Sequence, residues 1–111
     1  MKDTFTLTLD KKWFDMILSG EKTEEYREIK EYWHIRLNNF CPNFKFSFSR
    51  SIQLNNKFIK FKNGYSKKCR SFIIEFKYLS IRNGISKFGA PENKKVFVLS
   101  LGKITEKFNI D

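Results

Sequence analysis

The sequence predicts an α+β fold: a small, mainly antiparallel β-barrel with two helices near the N-terminus. Three observations carry this expectation. Several short runs alternate polar and apolar residues, the mark of half-buried strands. Two stretches with helical spacing both fall before residue 38. After residue 37 the regular strand–helix alternation that a parallel doubly wound sheet needs is absent, and turn residues separate the remaining strands. At 111 residues the chain has room for one domain with a single modest core.

The elements follow in order. Thr4-Phe5-Thr6-Leu7-Thr8-Leu9 alternates and reads as a strand. Asp10 is placed to cap a helix over residues 11–18, with Trp13, Phe14, Ile17 and Leu18 at helical spacing. Gly20 stops that helix where positive φ is wanted. Lys22-Thr23-Glu24-Glu25-Tyr26-Arg27 reads as short and extended. A second helix is expected over residues 29–37, with Ile29, Tyr32, Trp33 and Arg36 or Leu37 on neighbouring turns; Tyr32 and Trp33 read as core packing. Residues 38–50 lack a clean period and read as a loop or irregular hairpin. Phe58-Ile59-Lys60-Phe61-Lys62 is a strand closed by the turn pair Asn63-Gly64. Residues 70–81 form a long strand, with Phe72, Ile74 and Phe76 on one face. Asn83-Gly84 turns, residues 89–92 form a loop, and residues 96–101 form a strand leading into Gly102-Lys103-Ile104. No repeat, low-complexity tract or linker divides the chain, so residues 1–111 read as one domain with an aromatic, basic insertion at about 38–57.

Composition excludes several classes. Hydrophobic residues make up 41% and aromatics 17%, ample apolar surface to offset chain entropy, which argues against disorder. No apolar run approaches the ~18 residues of a membrane span, and the alternating N-terminus lacks the core of a signal peptide. Cys41 and Cys69 read as reduced thiols, so a cytoplasmic location is expected; the chain is expected to be a monomer. Two cysteines and the single histidine, His34, cannot furnish a zinc site, and no metal or cofactor is expected. His34, among charged neighbours, reads as a surface residue before a general acid or base.

The net charge is +10, and it is segregated. Residues 1–37 hold seven Lys/Arg and eight Asp/Glu, whereas residues 38–88 hold eleven Lys/Arg and one acid, Glu75. Such segregation points to an anionic partner; the alternative is drift of a lysine-rich surface, since 17 of the 22 bases are Lys. Lys60, Lys62, Lys67, Lys68 and Arg70 bracket the Asn63-Gly64 turn, a candidate patch for nucleic-acid phosphates.

The corner opened by Gly20 carries the densest chemistry. In an extended chain Lys22, Glu24 and Tyr26 share one face, and Thr23, Glu25 and Arg27 the other. Opposite charges alternating there can build a compact polar pocket or a solvated turn. The run Leu7-Thr8-Leu9, then Trp13-Phe14-Asp15-Met16-Ile17-Leu18-Ser19-Gly20-Glu21-Lys22-Thr23-Glu24-Glu25-Tyr26-Arg27, resembles the opening of an ASCH domain, a PUA-like barrel family. Phe61-Lys62-Asn63-Gly64-Tyr65, Gly89-Ala90-Pro91-Glu92 and the closing Val96-to-Ile104 run are similar to small phage and bacterial members.

The resemblance implies a barrel whose cleft, beside the 20–27 corner, faces RNA or a nucleotide-sized ligand. It also implies a hydrolase alternative, since relatives include N4-acetylcytidine amidohydrolases and a ribonuclease. The catalytic lysine of the amidohydrolases falls on Lys22; Glu25 stands where they carry an assisting threonine, and the third group, a glutamate, has no counterpart segment. Glu21, Glu24 and Glu25 favour the charged form of Lys22, which opposes simple lysine catalysis. The expected ligand site lies between the 20–27 corner and the hairpin end at residues 61–65. There Arg27 clamps a phosphate or pairs with Glu24 or Glu28. Tyr26 and Tyr65 offer flat faces for a base, and Glu24 and Asn63 offer hydrogen-bonding groups. The expected partner is RNA, a nucleoside or a nucleotide, not a membrane; a host protein docking on the 38–57 insertion is a third reading.

Overall fold

The computed structural model describes residues 3–44 and 51–110. It shows a small α+β domain: two helices and one mixed six-stranded sheet. The elements are β1 (Asp3–Thr8), α1 (Lys11–Leu18), β2 (Glu24–Arg27), α2 (Glu31–Phe40), β3 (Ser51–Gln53), β4 (Lys57–Lys62), β5 (Ser71–Asn83) and β6 (Lys95–Phe108). A 3-10 turn over Ser86–Phe88 lies between the last two strands.

The sheet runs β1-β4-β5-β6-β2, and β3 lies collinear with β4 along the far half of β5. Its ladders are antiparallel except for β1 with β4, which run parallel. The sheet does not close. Among the described residues β1 and β2 are its two edges and share no ladder, which corrects the expected barrel. Shifts of register between β5 and β6 at Ile73, Ile74 and Phe76 bend the long ribbon. Helix α2 spans the gap between the edges: Arg36 reaches the Thr6 carbonyl of β1, and Trp33 packs under the Arg27 guanidinium of β2.

The core lies inside the curl. Phe5 and Leu7 of β1, Ile59 and Phe61 of β4, and Phe72, Ile74 and Phe76 of β5 point inward at alternate positions. Helix α1 adds Phe14 and Ile17, and α2 adds Leu37. Phe5, Phe40 and Phe76 stack in sequence, with centroids 5.2 and 6.3 Å apart. A smaller core joins Tyr26, Ala90, Val96 and Val98.

Helix α1 has the expected bounds. Asp10 occupies its N-cap, although only its carbonyl bonds into the helix, to the Phe14 N–H. Gly20 takes φ +87° just beyond the end. Other elements depart from expectation. Helix α2 starts two residues late and continues to Phe40, so the expected loop at 38–50 begins with helix; residues 45–50, with Phe46 and Phe48, lie outside the described residues. β3 falls in the insertion, where no strand is expected, and β6 runs seven residues beyond Leu101. Between β4 and β5 the chain makes an eight-residue loop, residues 63–70, in place of a tight Asn63-Gly64 hairpin. It is closed by the Asn63 N–H donating to the Arg70 carbonyl at 2.9 Å.

Candidate functional site

The two sheet edges face each other across a cleft of about 510 Å³. β1 contributes Thr6, Leu7 and Thr8; β2 contributes Arg27; α2 contributes Tyr32, Trp33 and Arg36; the loop after β4 contributes Tyr65. Two guanidiniums and three aromatic rings thus line one cavity, and among the described residues no carboxylate does.

Each guanidinium is oriented by its neighbours. Arg27 Nη1 donates to Glu25 Oε2 at 2.7 Å and to the Tyr26 carbonyl at 3.0 Å, and its plane lies 5.1 Å from the Trp33 ring. Its Nε is buried without a hydrogen-bond partner among the described residues. Arg36 donates to the Tyr32 hydroxyl at 3.2 Å and to the Thr6 carbonyl at 3.4 Å. It also lies 4.6 Å from the Phe5 ring and 5.3 Å from that of Trp33. No carboxylate pairs with Arg36 among the described residues, so its charge is offset only by dipoles and ring faces. Tyr65 is 87% exposed, a flat face standing free at the rim.

Lys22 and Glu25 lie behind this cleft, in the protein interior. Their side chains are 2% and 4% exposed and form an ion pair at 2.9 Å. Lys22 Nζ also donates to the Phe88 carbonyl. The Trp13 and Tyr26 rings lie 4.4 and 5.0 Å from the same nitrogen. Gly89, at φ +103°, leaves room for the Trp13 ring, 3.1 Å from where a Cβ would stand. Acceptors and rings therefore enclose Lys22. Glu25 joins two cations: one oxygen holds Lys22 and the other holds Arg27.

The remaining predicted residues are placed as follows. Tyr26 is buried; its hydroxyl donates to Glu24 Oε1 at 2.8 Å and accepts from the Ile85 N–H at 3.1 Å. Burial, with the Glu24 bond, pushes its phenol up to about 12. Glu24 is further paired with Arg82. Asn63 spans two elements, donating to the Leu9 carbonyl and accepting from Arg70, each at 3.1 Å. Arg70 also pairs with Asp15 at 2.9 Å and covers the Phe14 ring. Its side chain, partly exposed, is thus shared with an intramolecular carboxylate. Bonds from Lys11 and then Arg70 hold the Asp15 carboxyl below its usual range. Lys60 and Lys62 are partly exposed on β4, and Lys67 and Lys68 are exposed in the following loop. Both cysteines are free thiols; burial pushes that of Cys41 up to about 11.

Of the residues expected around one ligand, the cleft brings together Arg27 and Tyr65. Gly20 and Lys22 border a separate cavity with β6, and Tyr26 borders another with Pro91 and Lys94. Arg27 takes neither predicted partner, Glu24 nor Glu28, but Glu25. The reading of the sequence missed Thr6, Thr8, Tyr32, Trp33 and Arg36. A signal was present: Tyr32, Trp33 and Arg36 share one helix face by their spacing, and an arginine on an otherwise aromatic face is ill suited to a core. Among the described residues no helix is long and apolar enough to cross a membrane, and no cluster of three His, Cys, Asp or Glu could hold a metal. Compared with family models, with curated proteins and with solved structures, the chain finds no match.

Proposed function

We propose that this chain is an RNA- or nucleotide-binding module of the ASCH type, and that its ligand occupies the cleft between β1, β2 and α2. One observation carries the reading: Arg27 and Arg36 converge there with Tyr32, Trp33 and Tyr65, and among the described residues no carboxylate lines the cavity. Guanidiniums suit phosphate oxygens because their forked donors match bidentate acceptors. Aromatic faces suit an unstacked base. A cavity of about 510 Å³ lies in the range of small-ligand sites. The family assignment rests on the residue 7–27 run and the later segments that resemble ASCH domains.

Binding is preferred to the hydrolase alternative on the geometry of Lys22. A catalytic amine needs an open approach to its substrate, and this one is enclosed by Glu25, Phe88, Trp13 and Tyr26.

The test is calorimetric titration with each of the four ribonucleoside 5′-monophosphates. At least one should bind, and Arg36→Ala should weaken it about tenfold or more, since a hydrogen bond to a charged group contributes roughly 1.5–3 kcal/mol. Failure of all four to bind at millimolar concentration contradicts the proposal.

A further inference from the structure

We infer that the ligand is a single-stranded nucleic acid rather than a free nucleotide, with one nucleotide in the cleft and its neighbours' phosphates on the outer face of β4. The inference rests on the reading of the cleft as a nucleotide site and extends it along the strand register. Thr6 and Thr8 form part of the cleft wall. In the parallel ladder they stand opposite Lys60 and Lys62. Ile59 and Phe61 are fully buried, so alternation turns Lys60 and Lys62 to the outer face, the same face as the threonines. The lysines therefore begin one strand away from the cleft, about 4.8 Å, and stand about 6.6 Å from each other.

Among the described residues neither Lys60 nor Lys62 has a carboxylate partner; the nearby Lys57, in contrast, is paired with Asp3. Lys60 lies over the ring of Phe108, itself 38% exposed, which leaves an aromatic surface beside the track. In the loop that follows β4, Tyr65 of the cleft leads into the exposed Lys67 and Lys68. Cations interleaved with open rings are the footprint of single-strand binding, where phosphates track the bases that stack. A duplex keeps its bases inside the stack, out of reach of Trp33 and Tyr65.

The experiment compares the tightest-binding mononucleotide with a mixed-sequence single-stranded RNA octamer and with a blunt eight-base-pair RNA duplex, by fluorescence anisotropy and competition across salt. The octamer should bind at least tenfold tighter than the mononucleotide at low salt, and tighter than the duplex. Lys60→Gln with Lys62→Gln should reduce the magnitude of its salt slope by about 1.4, at roughly 0.7 per phosphate contact. Affinity for the mononucleotide should not change. The exposed pair Lys67→Gln with Lys68→Gln provides a second variant should the first lower the melting temperature. An octamer that binds no tighter than the mononucleotide, a duplex that binds as well as the octamer, or a salt slope untouched in both variants overturns the track while the cleft reading stands. Absence of binding by mononucleotide and octamer alike removes the cleft reading itself.

Discussion

Glu25 joins the interior of the protein to its cleft. Its two carboxylate oxygens hold Lys22 on one side and Arg27 on the other. Removing it leaves a buried ammonium with, among the described residues, only the Phe88 carbonyl as an oxygen partner, and takes from Arg27 its carboxylate while the Tyr26 carbonyl bond remains. Breaking a buried pair by deleting one member costs about 3–5 kcal/mol, because the remaining charge is uncompensated. Glu25→Ala should therefore lower unfolding stability by about that amount in urea titrations. Arg36→Ala, at a partly exposed site with no carboxylate partner among the described residues, should cost about 1 kcal/mol or less. Similar losses for the two variants would contradict this division of buried from cleft-lining charge. The residue types of this segment were legible in the sequence, but their burial was not. A Lys-Glu-Arg alternation looks the same whether it is solvated or folded beneath Trp13, and only the closure of the chain around residues 84–90 decides.

At the scale of elements, legibility followed locality. Helix α1 could be bounded because Asp10 and Gly20 mark both of its ends in the sequence itself. Helix α2 has no such stop: no glycine lies near its end, and the next proline is Pro42, so the helix runs to Phe40. The parallel pairing of β1 with β4 joins residues more than 50 apart, which no local pattern encodes. The cleft depends on that pairing, since it brings Tyr65 to the same cavity as Arg27. The segment after β5 supports the other edge. Gly84 sits where an added Cβ would stand 2.5 Å from a Tyr26 ring carbon and 2.6 Å from the Ala90 Cβ. Both neighbours are buried core atoms that cannot swing aside. Gly84→Ala is thus an overpacking change, expected to cost about 1–3 kcal/mol in chemical denaturation. A neutral result would show that the Tyr26 core is looser than described.

For the whole molecule, the defining feature is a sheet left unclosed, with α2 in its seam. The edges β1 and β2 do not pair; α2 bridges them through Arg36 and Trp33, and the space left over carries cationic and aromatic groups. The charge segregation read from the sequence fits this arrangement only in part. The basic block at residues 38–88 supplies Lys60, Lys62, Lys67 and Lys68, while both cleft arginines come from the nearly neutral N-terminal third. The protein holds two tryptophans, and they report on the two competing sites: Trp33 lines the cleft and Trp13 covers Lys22. The most direct measurement is tryptophan fluorescence during titration with the ribonucleoside 5′-monophosphates, in the wild type, Trp33→Phe and Trp13→Phe. The account predicts a saturable change that persists in Trp13→Phe and disappears in Trp33→Phe. A response that survives Trp33→Phe and is lost with Trp13, or no saturable response to any of the four, would contradict it.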